Sequence, residues 1–341
     1  MKQMFIAALA ALGTNLLLPN TGFAQATGVP AEKAIILYVG YAPGGGYDGY
    51  ARLIARNMGR HLPGASNIVV QHRPGAGSVA LANDLFNTLP RDGSVVGMFS
   101  NSLHLWEVLG QENIRFQSSK FNWIGRVTDA DDVLAVRPDS NLNTINDAKA
   151  REVAIGVPGA TSSPALTLSA INRILGTRFK LITGYTGSAE TRLAVERGEV
   201  EGTQGLLWSV DGGWIKHNGL KVLYRVSTSP IGLDSVPALE DLATSDEQRT
   251  LLRFFTSFTD VGRALTGPPG IPPDRVAALR RAFSATMTDA GFLAEVEKSG
   301  LRVAPMEGQK LQDLVTATST MSDDLKRKAR EAAGIASGQA K

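Results

Sequence analysis

The sequence predicts an α/β fold with largely parallel sheets, because short apolar segments alternate with helical patterns along the chain. Residues 34–39 (AIILYV) form an apolar run typical of a strand, and residues 48–61 follow with apolar side chains at helical spacing. A glycine-rich turn joins the two segments. The same order of strand, glycine-rich loop and helix start recurs near residue 158. At 341 residues, the chain is long enough for two domains.

The remaining elements follow in order along the chain. Strands are predicted where apolar and β-branched residues are bounded by turn residues, at 67–71, 95–99, 122–126, 132–136, 153–157, 179–182 and 222–226. Helices are predicted where apolar residues repeat at helical spacing, in segments that end at Phe86 and at Arg197, and at 165–175 and 276–287.

The first 26 residues have the pattern of a secretory signal peptide. Lys2 precedes an uncharged stretch over residues 5–18, and Ala24-Gln25-Ala26 is the small-residue pattern after which signal peptidase cuts. The stretch is shorter than the ~20 apolar residues of a transmembrane helix. We therefore expect residues 1–26 to be removed on export to the periplasm, with a mature N-terminus near Thr27.

Composition excludes several classes of function. The chain contains no cysteine, which excludes disulfides, thiolate metal sites and cysteine nucleophiles. Its formal net charge of +3 falls to +2 (3 − 1) once the segment with Lys2 is removed. So small a charge on a long chain gives no basic stripe for nucleic acid, and no nucleic-acid partner is expected.

The segment YAPGGGYDGYAR, residues 41–52, contains Gly44, Gly46 and Gly49 at the G-x-G-x-x-G spacing of dinucleotide-binding loops. A Rossmann site also needs an acidic residue about 20 residues further on, at the end of the second strand. Here that strand ends in QHR and supplies no carboxylate. The spacing alone is therefore weak, and we expect no cofactor.

Catalytic and metal-binding signatures are weak as well. The four histidines show no H-x-x-x-H spacing, and no serine lies in a G-x-S-x-G elbow. Asp131 and Asp132 are adjacent in sequence, and a solvated turn is the favoured interpretation over an acid/base pair. We expect neither a metal site nor an enzyme.

A glycine-rich turn at a helix start can bind an anion without catalytic groups. Its unpaired backbone N–H groups lie at the positive end of the helix dipole, and glycine lets a ligand approach the main chain closely. Two such loops facing each other across a cleft could hold a carboxylate from both sides. The second loop, PGATSSP, adds the hydroxyls of Thr161, Ser162 and Ser163, each able to cap the helix or to donate to a ligand.

Four segments of the chain carry a family resemblance. Residues 41–64, 68–97, 171–202 and 267–283 are similar, in this order, to the Bug-type receptors of tripartite tricarboxylate transporters. The pairing of a GG-x-x-D loop with a downstream P-G-A-G is specific to that family.

The resemblance implies a two-lobe periplasmic binding protein fold (type II-like), with mostly parallel sheets and two interdomain crossovers. Lobe 1 is expected to comprise residues 31–129 and 256–341, and lobe 2 residues 130–255. The resemblance further implies a monomer that captures a small organic carboxylate in the cleft. It would deliver this ligand to the small and large membrane subunits of a transporter and catalyse nothing.

The resemblance also implies a set of ligand-binding residues on the loops of both lobes. These are Tyr41, Pro43, Gly44, Gly45, Gly46, Asp48, Ser100, Asn101, Gly159, Ala160, Thr161, Ser162, Ser163, Gly184, Tyr185, Gly187 and Ser209. Asp48 is expected to organise its loop and cap the helix rather than to touch an anion. Tyr47 and Pro164 replace a smaller residue and a histidine that are usual in the family, which leaves the identity of the ligand open.

Two other functions remain as alternatives at this point. The first is an exported carboxylate sensor that docks to a signalling partner, and the second is an exported enzyme that uses the same cleft. Neighbouring genes for one small and one large membrane subunit would distinguish a transport receptor from a sensor. Turnover of a carboxylate would indicate the enzyme.

Overall fold

Two β-sheets flanked by helices form the fold. A computed structural model of the chain describes residues 34–63, 67–227 and 232–335, so the expected signal peptide lies outside the described residues. The strands are β1 (Ile35–Val39), β2 (Ile68–His72), β3 (Val95–Met98), β4 (Asn122–Thr128), β5 (Asp132–Val136), β6 (Val153–Gly156), β7 (Phe179–Ile182), β8 (Gly202–Leu207), β9 (Lys221–Arg225), β10 (Arg263–Gly267) and β11 (Met306–Glu307).

Helices connect most of these strands. They are α1 (Gly46–Met58), α2 (Val79–Asn87), α3 (Leu103–Val108), α4 (Asp147–Ala150), α5 (Ser163–Ile174), α6 (Ser188–Glu196), α7 (Trp208–His217), α8 (Asp246–Thr256), α9 (Phe258–Val261), α10 (Pro273–Met287), α11 (Ala290–Ser299), α12 (Gly308–Ser319) and α13 (Asp323–Ala333). None of the helices described by the structure combines the length and the apolar character needed to cross a membrane.

Both sheets are mixed. The first sheet has the order β11-β4-β10-β3-β1-β2, and the second has the order β7-β6-β8-β5-β9. Strand β1 is parallel to β2 and β3, and β6 is parallel to β7 and β8. Strands β10 and β5 run antiparallel to their neighbours, because the chain enters each sheet through them after crossing from the other sheet. The predicted α/β class is confirmed, with mixed rather than mostly parallel sheets.

The chain passes between the sheets twice, from β4 to β5 and from β9 to β10. The two passes are in contact, since the amide of Ala130 donates to the carbonyl of Thr259 at 3.0 Å. Gly262 follows with φ +54, and a Cβ at this position would overlap the carbonyl oxygen of Thr128. Only glycine therefore permits the two passes to lie side by side in this conformation.

Helix α1 illustrates why the sequence forms the element that positions the first loop. Tyr50, Leu53, Ile54 and Met58 recur at helical spacing, and all four are buried in one cluster with the apolar side chains of β1. This burial fixes the start of the helix, and with it the glycine-rich turn, at the carboxyl end of β1.

The C-terminal helix α13 packs against α5 and α8, and α5 itself packs against β7 and β8 of the second sheet. Ala329 and Ala333 share a buried cluster with Leu166 of α5. Helix α13 therefore contacts helices that pack on the second sheet, although the sequence-based division assigns it to lobe 1. The boundaries at residues 129/130 and 255/256 remain a prediction.

Candidate ligand-binding site

Four strand-to-helix connections surround one small cavity. The loops after β1, β6 and β7 lead into α1, α5 and α6, and β8 leads directly into α7. The first sheet with its helices and the second sheet with its helices are called the two halves of the molecule, and both contribute to the cavity. The lining residues are Tyr41, Gly45, Gly46, Tyr47, Asp132, Pro158, Ser163, Pro164, Ser188, Gly205, Leu207, Asp211 and Arg263. The volume of the cavity is about 30 Å³. A water molecule needs roughly 10–15 Å³ on a comparable measure, so the space is that of about two waters.

The helix starts around the cavity favour negative charge. Helices α1 and α6 begin after Gly45 and Gly187, and no side-chain hydrogen bond from the described residues caps either start. Ser162 caps α5, since its Oγ accepts from the amide of Ala165 at 3.4 Å. Unpaired amides and the positive ends of helix dipoles together stabilise an anion.

Arg263, the first residue of β10, adds a full positive charge to the cavity. Its guanidinium carbon lies 4.1 Å from the centre of the Tyr47 ring, and Tyr47 packs on Tyr41 with ring centres 4.8 Å apart. The Tyr47 hydroxyl accepts from the amide of Asn101 at 3.0 Å. Burial opposes the charge of Arg263, but the nearby Tyr47 and Asp132 outweigh it, and the pKa of Arg263 is raised. The ring of Tyr47 therefore forms the surface on which the buried guanidinium of Arg263 lies.

Asp132 brings a negative charge to the same cavity. It lies at the start of β5 with 1% of its surface exposed, and Asp131 beside it is 4% exposed. The carboxylate of Asp131 accepts from the amide and the hydroxyl of Ser209 at 2.9 and 3.1 Å. Burial raises the pKa of Asp132 to about 6, although Arg263 opposes this shift. The prediction of a solvated turn was wrong, because the chain passes between the sheets here and both carboxyl groups are enclosed.

Asp211 is the second acid that lines the cavity, and both of its carboxylate oxygens have partners. Its carboxylate accepts from the amide of Leu207 at 3.0 Å and from Nη1 of Arg192 at 2.6 Å. Burial raises the pKa of Asp211 and the Arg192 charge lowers it, with burial dominant. Arg192 also donates from Nη2 to the carbonyl of Gly44 at 3.2 Å. This arginine therefore joins the second sheet's helices to the first glycine-rich loop.

A second cavity of about 290 Å³ adjoins the first, and Tyr41 and Pro158 line both. Its other walls are the P-G-A-G turn and the loops after β6 and β7. Among the residues predicted from the sequence, it contains Tyr41, Gly159, Ala160, Gly184 and Tyr185. The predicted set is thus divided between two neighbouring cavities, with Tyr41, Gly45, Gly46 and Ser163 in the small one.

The other predicted residues surround these cavities rather than line them: Pro43, Gly44, Asp48, Ser100, Asn101, Thr161, Ser162, Gly187 and Ser209. Several of them build the loops. Asp48 accepts from the amide of Gly44 at 2.9 Å and also contacts Arg52 and His72 at 2.8 Å. Burial opposes ionisation of Asp48, but these hydrogen bonds outweigh it and lower its pKa. Thr161 donates to the carbonyl of Ala76, which joins the loop after β6 to the P-G-A-G turn.

The sequence-based set omitted the charged residues of the small cavity, Asp132, Asp211 and Arg263. The bonds of Asp211 to Leu207 and Arg192 give it a structural role at the start of α7. One signal could have identified Asp132, because it is a charged residue placed directly before the apolar run of a predicted strand, DVLAV. Arg263 begins the segment RALTG, whose strand signal is too weak to mark it.

The arrangement of helix starts and a buried arginine at the meeting of two α/β halves can be compared with known families. Residues 50–330 match the family model described as TctC, the tripartite tricarboxylate transporter family receptor. The chain belongs to the TctC family. The resemblance stated from the sequence is thereby confirmed. No curated protein sequence matches the chain.

Several solved structures share the fold at low sequence identity. The periplasmic binding protein BugD has a TM-score of 0.72 and 18% identity, covering 89% of this chain and 98% of BugD. Rpa4515 of R. palustris with adipate has a TM-score of 0.70 and 18% identity, covering 89% and 98%. MatC from Rhodopseudomonas palustris with bound malate has a TM-score of 0.68 and 16% identity, covering 86% and 99%.

Within the described residues, no group of three or more histidine and acidic side chains could hold a metal ion.

Proposed function

We propose that this TctC-family protein is a periplasmic receptor that binds a small organic carboxylate in the cavity between its two halves. The carboxylate would then be delivered to the small and large membrane subunits of a tripartite transporter. One observation carries the proposal: the starts of α1, α5 and α6 and the guanidinium of Arg263 converge on a single cavity. Hydrogen bonds to a charged group contribute roughly 1.5–3 kcal/mol each, so such a set can hold a carboxylate firmly.

Ligand entry requires the two halves to separate. The first and second halves are joined by the bonds from Ala42 to Thr186 at 3.1 Å and from Arg192 to Gly44 at 3.2 Å, which close the loops over the small cavity. Two side-by-side crossovers form a natural hinge for such an opening. We propose residues 31–129 with 256–341, and residues 130–255, as the moving lobes.

The carboxylate class is supported by charge as well as by relatives. Two solved structures of similar fold contain malate and adipate, as their descriptions state. In this chain, the positive helix ends and Arg263 supply the matching charge. A receptor needs no nucleophile or general base, and the role proposed here uses the cavity for binding alone.

A thermal-shift panel tests the proposal. The mature protein would be melted with mono-, di- and tricarboxylates at millimolar concentration. A ligand at about 100 times its Kd adds ~2.7 kcal/mol to the free energy of unfolding, which gives an easily measured rise in Tm. A panel in which no carboxylate raises Tm would contradict the proposal.

Export has a separate test. Mass spectrometry of the protein recovered from the periplasm should give an N-terminus at or near Thr27. Recovery of the soluble protein with Met1 intact would contradict removal of a signal peptide. Delivery to membrane subunits would be tested by uptake of the cognate carboxylate in cells with and without those subunits.

A further inference from the structure

Two side chains of opposite charge line the small cavity without a hydrogen bond between them. Asp132 is 1% exposed and Arg263 is 4% exposed. Their closest atoms, Oδ1 of Asp132 and Nη2 of Arg263, are 3.8 Å apart, which exceeds hydrogen-bond distance. Among the residues that the structure describes, neither carboxylate oxygen of Asp132 has a hydrogen-bond partner, and Nε of Arg263 has none either.

A buried carboxylate in this condition requires a physical explanation. Enclosed charges without hydrogen bonds are costly, and native proteins nearly always pair them. Asp132 lines the cavity, so a donor placed in the cavity can reach it. The neighbouring acids do not share this condition, because Asp131 is bonded to Ser209 and Asp211 is bonded to Arg192 and Leu207.

The charges around the cavity favour a donor that is itself positive. Asp131, Asp132 and Asp211 contribute three negative charges when ionised, and Arg192 and Arg263 contribute two positive charges. Arg302 also acts on Asp131, but its charge is paired with Asp129 and leaves the balance negative. A second carboxylate placed beside Asp132 would add repulsion at the most enclosed acid. A hydroxyl group offers one proton and no charge, whereas an ammonium group offers three protons and neutralises the carboxylate.

On the basis of the proposed function, we infer that the ligand is a small amino acid. Its ammonium group binds Asp132, and its carboxylate binds Arg263 and the helix starts beside Gly45 and Ser188. The small cavity has room for about two waters in this conformation, so even a small amino acid requires the separation of the halves proposed above. Asp132 is then the residue that selects among carboxylates, and Arg263 is the residue that recognises the carboxylate common to all of them.

Matched ligand sets test this inference on the wild-type protein. Isothermal titration calorimetry at pH 7.5 would compare glycine with glycolate and acetate, alanine with lactate and propionate, and aspartate with malate and succinate. Within each set, only the group attached next to the carboxylate changes, from amine to hydroxyl to hydrogen. We expect at least tenfold tighter binding of the amine in the set that fits the cavity.

The variant Asp132→Asn tests the residue assigned to the ammonium group. It keeps the side-chain shape and removes the charge, so the preference for the amine should fall at least tenfold while the deaminated ligand changes less than threefold. Asp139→Asn is the matched control, because the substitution removes the same charge far from the cavity. Asp139 pairs with Arg137 at the surface. Melting curves of both variants establish that they fold, and the wild-type comparison stands even if Asp132→Asn does not.

The outcomes separate this inference from the proposed function. An amine preference that Asp132→Asn removes supports both. Hydroxy or unsubstituted acids that bind as tightly as the amine overturn the inference and leave the carboxylate receptor intact. A preference retained in a folded Asp132→Asn protein overturns the role of Asp132. If no member of any set binds, and the wider carboxylate panel is also negative, both the inference and the proposed function are wrong.

Discussion

The guanidinium carbon of Arg263 lies 4.1 Å from the centre of the Tyr47 ring, so the start of β10 is joined to the first turn of α1. The aromatic face stabilises the buried cation in a place where no hydrogen bond from the described residues satisfies its Nε. This contact keeps a positive charge in the cavity.

Replacing that charge should weaken carboxylate binding. We expect Arg263→Gln to lower the affinity for the cognate ligand at least tenfold, because it removes one charge-assisted partner worth roughly 1.5–3 kcal/mol. Arg263→Lys should recover part of the affinity, since an ammonium retains charge but lacks the planar fork. Titration calorimetry on both variants would measure the effect. Arg281→Gln is the control, because Arg281 is exposed on α10. Equal affinity in the wild type and all three variants would exclude a role for Arg263.

A side chain at Gly45 should also block binding. A Cβ at this position would lie 2.6 Å from Oγ of Ser188, across the cavity. Gly45 has φ −98, so the obstacle is this contact and not backbone strain. We expect Gly45→Val to lower affinity at least about tenfold with little change in Tm.

Gly49→Ala is the matched control for Gly45→Val. Gly49 belongs to the same glycine pattern but lies inside α1 with open space around its Cβ position. Alanine should therefore preserve binding and stabilise the helix slightly. If Gly45→Val binds as tightly as the wild type, the loop acts only as a turn.

The first strand and the loop after it could be predicted because local pattern and tertiary role agree there. Residues 35–39 are apolar and lie inside the first sheet, and the helix that follows repeats its apolar residues at helical spacing. The glycine spacing also belongs to dinucleotide loops, so its function could be narrowed only by the absent acid and the family resemblance.

The central strands β8 and β10 were not predicted, because their local signal is weak. Strand β8 reads GTQGLL and β10 reads RALTG, and both contain glycines that lower strand propensity. Their place is set by pairing with β5 and β6, and with β3 and β4, which no local pattern shows. The charged residues of the cavity were missed for a related reason, since the rule that charges remain at the surface fails for Asp132, Asp211 and Arg263, which are all buried.

Gly262, where the two passes between the sheets meet, should control stability. Gly262→Ala would place a Cβ on the carbonyl of Thr128 at a positive φ, so we expect the free energy of unfolding to fall by more than about 2 kcal/mol. Gly213→Ala in α7 is the control, because its Cβ position is open and alanine favours the helix by roughly 0.5–1 kcal/mol. Urea unfolding of the ligand-free proteins measures both. If the Gly262→Ala protein is as stable as the wild type, the contact between position 262 and the carbonyl of Thr128 does not limit stability.

The buried acid Asp132 should impose a pH dependence on stability. Its pKa in the folded protein is about 6, against an ordinary value of 3.8, so the folded state binds the proton more tightly than the unfolded state. The stabilising contribution is therefore complete below the ordinary pKa and is lost as pH rises through about 6. A shift of about two pKa units corresponds to roughly 3 kcal/mol.

Comparison with Asp132→Asn isolates this contribution. The stability of the wild type relative to the variant should fall by on the order of 2–3 kcal/mol between pH 4 and pH 7, measured by urea unfolding without ligand. Asp131 and Asp211, whose pKa values are also raised by burial, are present in both proteins, so their contributions largely cancel. Parallel stability curves for the two proteins would show that Asp132 ionises at its ordinary pH.

Lobe closure can be trapped with a disulfide, because the native chain has no cysteine to interfere. A Cβ at Gly187 would lie 3.9 Å from Cβ of Ala42, within the range of roughly 3.5–4.5 Å that disulfides span. Gly187 has an extended backbone with φ −179, so cysteine is tolerated there. The double variant Ala42→Cys/Gly187→Cys should cross-link only when the halves meet, and a saturating carboxylate should speed the reaction by favouring the closed form. Mass spectrometry under non-reducing conditions measures the rate of cross-linking, and each single variant serves as a control. After cross-linking, ligand should no longer change the radius of gyration measured by solution scattering. A rate that is the same with and without bound ligand would contradict ligand-driven closure.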